Sequence, residues 1–347
     1  MANFAPSDLV AGQAKFNEKF QSGEWRMPDS AAFKTSVNGS IANPMLSELH
    51  TREDRAVSAY YPIRQAATDG TARAHNHSGA RGDSLAEAIS WGIFSEPFSI
   101  SLKQAGNNVF NFAEMYAASQ KNAVFNLIAR IDAWFVAQLL AGKTQVNAGG
   151  GNGVFESTTT DDYQYASTLD KDFFFQNIKA MMDQNLYRGG LTAICDSQAW
   201  VLAQKNLSQG TANSVNEQFQ FMGYDLIVPT TRTMLDVPTT YTESVITFES
   251  GLVGAIPWIP MENRKALSPQ LALSNNGDYG SVAIPGLGVD FAIHSYAERA
   301  DNSAVNGETQ DLTINVELSV DFGFVPAPLS TFRGANDSVI YTSGILA

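Results

Sequence analysis

Two stretches of this chain carry hydrophobic patterns of opposite period. In "QDLTINVELSVDFGFV" apolar and polar residues alternate. Leu312, Ile314, Val316, Leu318, Val320, Phe322 and Phe324 fall on one side; Asp311, Thr313, Asn315, Glu317, Ser319 and Asp321 fall on the other. Period two over that length predicts a strand near ~40 Å long with one buried face, about twice the usual strand. Residues 108–143, "NVFNFAEMYAASQKNAVFNLIARIDAWFVAQLLAGK", hold no proline, and no glycine before Gly142. Val109, Phe112, Met115, Tyr116, Val124, Leu127, Ile128, Ile131, Trp134, Phe135 and Leu139 recur at helical spacing without a strict heptad, which predicts one long helix and not a coiled coil. Such a helix runs roughly 50 Å. Its charges are few (Glu114, Lys121, Arg130, Asp132), so neighbours must cover it on more than one side or a sheet must run along it. The two lengths match. The pattern therefore predicts the helix laid across a long antiparallel hairpin made of "GLGVDFAIHSY" and the alternating strand, with "AERADNSAVNGET" as its polar tip.

The remaining segments are read around that unit. Residues 1–50 contain Pro6, Pro28 and Pro44 and no sustained period, which suits an extended arm with a short helix near Leu9–Phe20. Residues 52–104 offer two strands, "RAVSAYYPIRQ" and "FSISLKQ", around the polar, glycine-spaced "TDGTARAHNHSGARGDS", a projecting hairpin or a disordered loop. "QVNAGGGNG" then breaks the chain. Asp170 is placed to cap a helix in "DKDFFFQNIKAMMDQNLY", with Phe174, Ile178 and Met181 on one face and Gly189 and Gly190 at its end. "LTAICD" reads as a buried strand and Ser197 as the cap of "SQAWVLAQKNL", together a compact α/β layer. From Gln218 onward strands dominate, including "QFMGYDLIVPT" and "ESVITFESGLVGAI".

Composition narrows the function classes. The 347 residues are 44% hydrophobic and only 16% charged, against a typical ~25% charged. A surface so poor in charge suits a subunit with extensive partner contacts. The formal net charge of -13 argues against a general nucleic-acid binder, which needs clustered Lys and Arg to displace counterions. One cysteine, Cys195, excludes an internal disulfide framework. The most apolar window, Ala133–Gly142, lies between Asp132 and Lys143, and its ten residues fall short of the about 20 that cross a bilayer, so no membrane association is expected. The N-terminus has no basic start and no apolar run of signal length, so a protein assembled in a reducing cytoplasm is expected.

Candidate chemistry is thin. "LAGKT" (Leu140–Thr144) lacks the first phosphate-loop glycine, with Ala137 in its place, and follows a helix. "GLGVDF" has Phe291 where a dinucleotide motif needs its third glycine. His75 and His77 can face one side of an extended segment and hold a metal with a third ligand, but no Cys or acidic pair stands nearby and a polar loop tip explains them as well. Cys195 with His294 as base would make a nucleophile pair, yet Cys195 sits in an apolar strand where a thiol packs as a small hydrophobe. No cofactor is implied. Arg73 and Arg81 make the hairpin tip basic and fit it for docking on an acidic neighbour. Candidate assembly contacts are thus Arg73, His75, His77 and Arg81 on one tip and Glu298, Arg299 and Asp301 on the other; the core of the long helix is assigned to Phe112, Tyr116, Leu127, Ile131, Trp134 and Phe135.

This order of parts resembles the major capsid protein of tailed bacteriophages, the Hong Kong 97-type fold shared with encapsulin shells. "LTAICDSQAWVLAQKNL", "FMGYDLIVPTTRTM" and "SVITFESGLVGAIP" resemble a recurring series in such capsids, although "SVITFESGL" lacks the Gly-Asp pair many members carry there. The resemblance covers nearly the whole chain as architecture. It implies an α+β fold with an N-terminal arm (1–51), an E-loop hairpin (52–104), a peripheral domain with the spine helix (105–148), an axial α/β domain (149–283), return strands of the peripheral domain (284–325) and a C-terminal segment toward the axial domain (326–347). It further implies a non-enzymatic shell subunit of the virion, assembled in the host cytoplasm into hexamers and pentamers. Portal, scaffold and decoration proteins are the implied partners, with packaged DNA adjacent but not specifically bound. The family's Lys–Asn cross-link is not carried over, since no motif fixes the residues. An encapsulin-like nanocompartment and an α/β enzyme with a substrate loop at 68–84 are the alternatives.

Overall fold

The computed structural model describes residues 6–37, 48–49, 54–55, 57–63, 83–101, 112–143, 154–156, 162–184, 187–210, 223–232, 240–264, 278–284, 287–301, 303–307, 309–326 and 339–347. Helices α1 (Pro6–Gln21) and α2 (Ala31–Val37) lead to a ribbon of β1 (Ser58–Ile63) and β2 (Asp83–Ala88). Strand β3 (Ser90–Ser101) precedes the long helix α3 (Phe112–Ala141). There follow β4 (Phe155–Glu156), β5 (Tyr163–Tyr165), a 3-10 turn (Lys171–Phe173), α4 (Phe174–Gln184), β6 (Leu191–Cys195) and α5 (Ser197–Gly210). Next come β7 (Tyr224–Pro229), β8 (Tyr241–Glu249), β9 (Val253–Trp258) and the short α6 (Met261–Arg264). The chain ends with β10 (Asp278–Ala283), β11 (Asp290–Ala300), a helical turn α7 (Ser303–Asn306), β12 (Asp311–Pro326) and β13 (Ile340–Leu346).

The expected α+β fold, a long helix on a long antiparallel sheet, is met. β12 has 16 residues, and its apolar set Ile314, Val316, Leu318, Val320, Phe322 and Phe324 is buried while Glu317 between them is exposed. β3 runs along one edge of β12 from Thr313 to Phe324. On the other edge β11 pairs as far as Ser319 and β9 takes over from Asp321; β10 closes the sheet outside β11. α3 lies across the apolar face. The Phe135 ring is 5.7 Å from Phe322 and 6.3 Å from Phe324, and Tyr116 is 5.7 Å from Phe98.

The second sheet is mixed, in the order β4-β5-β13-β8-β6-β7. Alternation divides it cleanly. Ala193, Cys195, Val245 and Tyr341 pack with Phe174, Phe175 and Ile178 of α4 and Ala199 of α5. Ile194, Ile246, Phe248 and Ile340 point the other way and join one continuous core with Phe33 of α2 and Phe135 and Leu139 of α3. The C-terminal half of α3 is therefore wedged between two sheets, which explains why so little of its surface is polar. By length and by the mean hydropathy of 1.4 in an 18-residue window this helix would suffice to cross a bilayer; half of that window is buried inside the fold.

Four expectations are corrected. The segment read as an extended arm with a short helix near Leu9–Phe20 holds that helix, extended to Pro6–Gln21, and a second one, α2, both docked on the fold. Phe16 and Phe20 at i, i+4 meet edge to face with ring centres 4.9 Å apart, Phe16 is fully buried, and Gln120 donates to Gln13 at 2.6 Å across the α1–α3 seam. A Cβ on Gly12 would lie 2.4 Å from the Tyr116 ring, so glycine is what lets the two helices close. The second strand of the projecting hairpin is β2, "DSLAEA", paired antiparallel with β1 from Ser58–Ala88 to Ile63–Asp83; "FSIS" belongs to β3 and pairs with β12. β2 lacks any apolar alternation, so only cross-strand pairing identifies it. Asp196, not Ser197, caps α5: its Oδ1 accepts from Ala199 N–H at 2.7 Å. Last, "ESVITFESGLVGAI" yields β8 and β9 in different sheets, turning at Gly251 with φ of 87°.

Replacing Phe135 with Ala removes rings from contacts with Phe33, Trp134, Phe322 and Phe324 and is expected to cost ~3–5 kcal/mol in urea unfolding. Gly12→Val is expected to pry α1 from α3 and speed proteolysis between α1 and α2; cleavage at the wild-type rate would contradict that contact.

Candidate functional site

Three features are candidates for a functional site. The first is the tip of the β11–β12 hairpin. Glu298 pairs across from Thr313 and Arg299 across from Leu312, so the two point to opposite faces of the ribbon. Asn315 donates to Glu298 Oε1 at 2.5 Å, and Ser99 donates to Asn315 Oδ1. Asp301 accepts from Ser303 N–H at 3.0 Å, and the hydrogen bonds from Ser303 hold its carboxyl below the usual range. All three residues are exposed.

The second is the base of the β1–β2 ribbon. Val57 and Ala59 are buried with Leu49, Ile256 and Val325. Arg55 pairs with Asp321 at 2.9 Å and lies 5.6 Å from the Trp258 ring centre; Arg264 lies 5.8 Å from the same ring and donates to the Leu49 carbonyl at 3.2 Å. Burial pushes the Asp321 carboxyl up, and Arg55 holds it partly back. The ribbon is thus clamped at its root by charge and aromatic contact. Arg73, His75, His77 and Arg81 lie outside the described residues.

The third is a buried polar joint that sequence reasoning missed. Asp132 sits on α3, is 0% exposed, and receives donors from two remote segments. Its Oδ1 accepts from Phe33 N–H of α2 at 3.1 Å, and its Oδ2 accepts from Arg232 Nε at 2.7 Å. Arg232, which follows β7, also donates to the Ala129 carbonyl of α3 at 2.7 Å. Beside it, Asp29 accepts from Thr230 and Thr231 hydroxyls, each at 2.9 Å, and from Thr231 and Ala31 N–H groups. Burial raises Asp29, but these hydrogen bonds outweigh it and leave the carboxyl below its usual range. For Asp132 burial prevails over Arg232 and Phe33, and the carboxyl lies above its usual range. At the far end of the helix Lys143, the lysine of "LAGKT", pairs with Asp162, which also accepts from the Thr342 hydroxyl and, at 3.4 Å, from Tyr241.

Of the residues assigned to the helix core, Tyr116, Leu127, Ile131 and Phe135 are buried, and Phe112 and Trp134 pack at its margin. Burial lifts the Tyr116 phenol to about 12. Cys195 and His294 lie on different sheets, and the Cys195 thiol is pushed well above its usual value by burial. His294 stacks on Tyr279 at 4.6 Å. The signal that could have found the joint is Asp132 itself, a carboxylate at the border of the most apolar stretch of the chain.

No protein-family model matches the chain, and no curated protein does. Among solved structures it is similar to a chain from Mycobacterium phage Che8, 11% identical over 92% of both chains, with a TM-score of 0.49. It is also similar to a chain of the mature capsid of bacteriophage PhiM1, 10% identical over 92% of this chain and 88% of that one, TM-score 0.43. A third is the capsid of Ralstonia phage GP4, 6% identical over 84% and 82%, TM-score 0.42.

A carboxyl whose folded-state value is raised costs stability while ionised, and the cost is relieved as pH falls through that value. Arg232→Met removes the cation that stabilises ionised Asp132. It is expected to lose about 3 kcal/mol at neutral pH, with the deficit narrowing on acidification, as read by urea titrations across pH. A deficit that widens in acid would contradict a buried charge at Asp132.

Proposed function

We propose that this chain is a shell subunit of the Hong Kong 97 type, the major capsid protein of a tailed bacteriophage, which closes around a packaged genome as hexamers and pentamers. One observation carries this reading: a rigid wedge, α3 between two sheets, from which two hairpins extend. The β1–β2 ribbon pairs with no third strand among the described residues. Two strands alone are marginal in water, so such a ribbon needs a partner surface. β11 and β12 continue to Ala300 and Asp311, beyond the last β3 partner at Thr313. A lone monomer gains nothing from either extension, whereas a tile overlaps its neighbours through them.

The charge supports the same reading. A net charge of -13 suits a container wall that borders DNA without gripping it. The segments 1–51 and 52–104 would be the arm and the overlapping loop, and 149–283 the part that gathers round each symmetry axis. Assembly in the host cytoplasm, with portal, scaffold and decoration proteins as further partners, completes the proposal.

Full-length protein expressed in bacteria is expected to yield closed particles by electron microscopy. An absorbance ratio then separates shells holding nucleic acid from shells holding protein cargo, and small soluble oligomers alone would overturn the proposal. Arg73→Glu with Arg81→Glu is expected to lower particle yield while leaving the subunit folded; unchanged yield and particle stability would remove these arginines from the contact.

A further inference from the structure

The long helix is held to the mixed sheet by two polar pins, and their positions say more than their presence. Arg232 follows β7, which is one edge strand of that sheet. Asp162 precedes β5, which lies next to the other edge. Of their partners, Asp132 lies within α3 and Lys143 stands two residues past its last residue, Ala141, so the pins are separated by the final ~14 Å of the helix. The helix is therefore fastened at two points that lie toward opposite sides of the sheet it crosses.

Between α3 and the mixed sheet the apolar packing among the described residues runs through Phe135, Leu139, Ile194, Ile246 and Ile340. Apolar burial has no direction and tolerates a small rotation. Charge-assisted hydrogen bonds do not. Arg232 reaches both the Asp132 carboxylate and the Ala129 carbonyl one turn away, which ties the guanidinium plane to the helix axis. Asp132 is fully buried, where a hydrophobic pair of similar volume would serve stability as well or better. A charge retained there needs a reason other than stability.

We propose that the pins Asp132–Arg232 and Lys143–Asp162 fix the crossing angle of the helix on the mixed sheet, and with it the angle between the two sheets and the curvature of the shell. This rests on the shell reading above. Each subunit carries the angle between its two sheets into the lattice, so a small change repeated in every copy alters the radius at which the surface closes.

The test replaces each pin by neutral partners in the full chain: Asp132→Leu with Arg232→Met, and separately Lys143→Met with Asp162→Asn. Val124→Ala, a core lesion in α3 two turns before Asp132 at a fully buried position, is the control. Particle diameters are measured by electron microscopy, and unfolding midpoints are taken alongside. The expected result is a shifted or broadened diameter distribution for the pin variants at near wild-type stability, with the control keeping the wild-type diameter. Folded pin variants that build shells of wild-type diameter overturn the inference. So does a Val124→Ala shell shifted as far as theirs, since general loosening would then explain the change. If the first double variant fails to fold, the second pin decides by the same reading. Should the wild-type chain build no shell, the preceding reading falls and this inference with it; wild-type shells with unmoved variants overturn this inference alone.

Discussion

The C-terminal half of α3 has apolar side chains around most of its circumference, and water must be kept from two sides of it at once. That requirement organises the fold. The antiparallel sheet presents Phe322 and Phe324 to one side, and the mixed sheet presents Ile246, Phe248 and Ile340 to the other. The N-terminal half faces the same problem with one sheet fewer, and α1 solves it by laying Phe16 and Phe20 along the seam. Neither sheet would have a complete core without the helix, so the two behave as one folding unit despite lying in different layers.

A unit sealed this way has few places for charge, and three of the ion pairs among the described residues stand at joints. Arg55–Asp321 roots the β1–β2 ribbon, Arg232–Asp132 joins α3 to the segment after β7, and Lys143–Asp162 ties the helix end beside β5. In each pair the carboxylate is the more buried partner. Low local dielectric strengthens such contacts and also makes them costly to break. They suit a molecule whose layers must keep one mutual orientation while its hairpins reach outward.

Some of this was legible in the residues and some was not. The strand Asp311–Pro326 and the helix Phe112–Ala141 were readable because their periodicity is local: each residue's face follows from its position in its own element. The partner strand "DSLAEA" was not, because its residues carry no apolar alternation and only its pairing with β1 identifies it. The cap of α5 was misplaced by one residue, since Asp196 and Ser197 are both good caps and only Asp196 also accepts from Ser244 N–H of β8. The helix α1 was shortened and left undocked because its stabilising partner, the second face of α3, lies about a hundred residues away in sequence.

By itself the sequence determined the periodicities, hence the long helix, the long strand and the expectation that one covers the other. It also determined the absence of a disulfide framework and the scarcity of charge. Only the tertiary structure decided that α3 has two sheets against it, that β8 and β9 part company into different sheets, and that Asp132, Arg232 and Asp29 meet. The physical reason is range. Hydrophobic period is written in neighbours three or four residues apart, whereas a buried carboxylate finds its donors from segments ninety-nine and a hundred residues distant, and nothing in the local chain marks which they are.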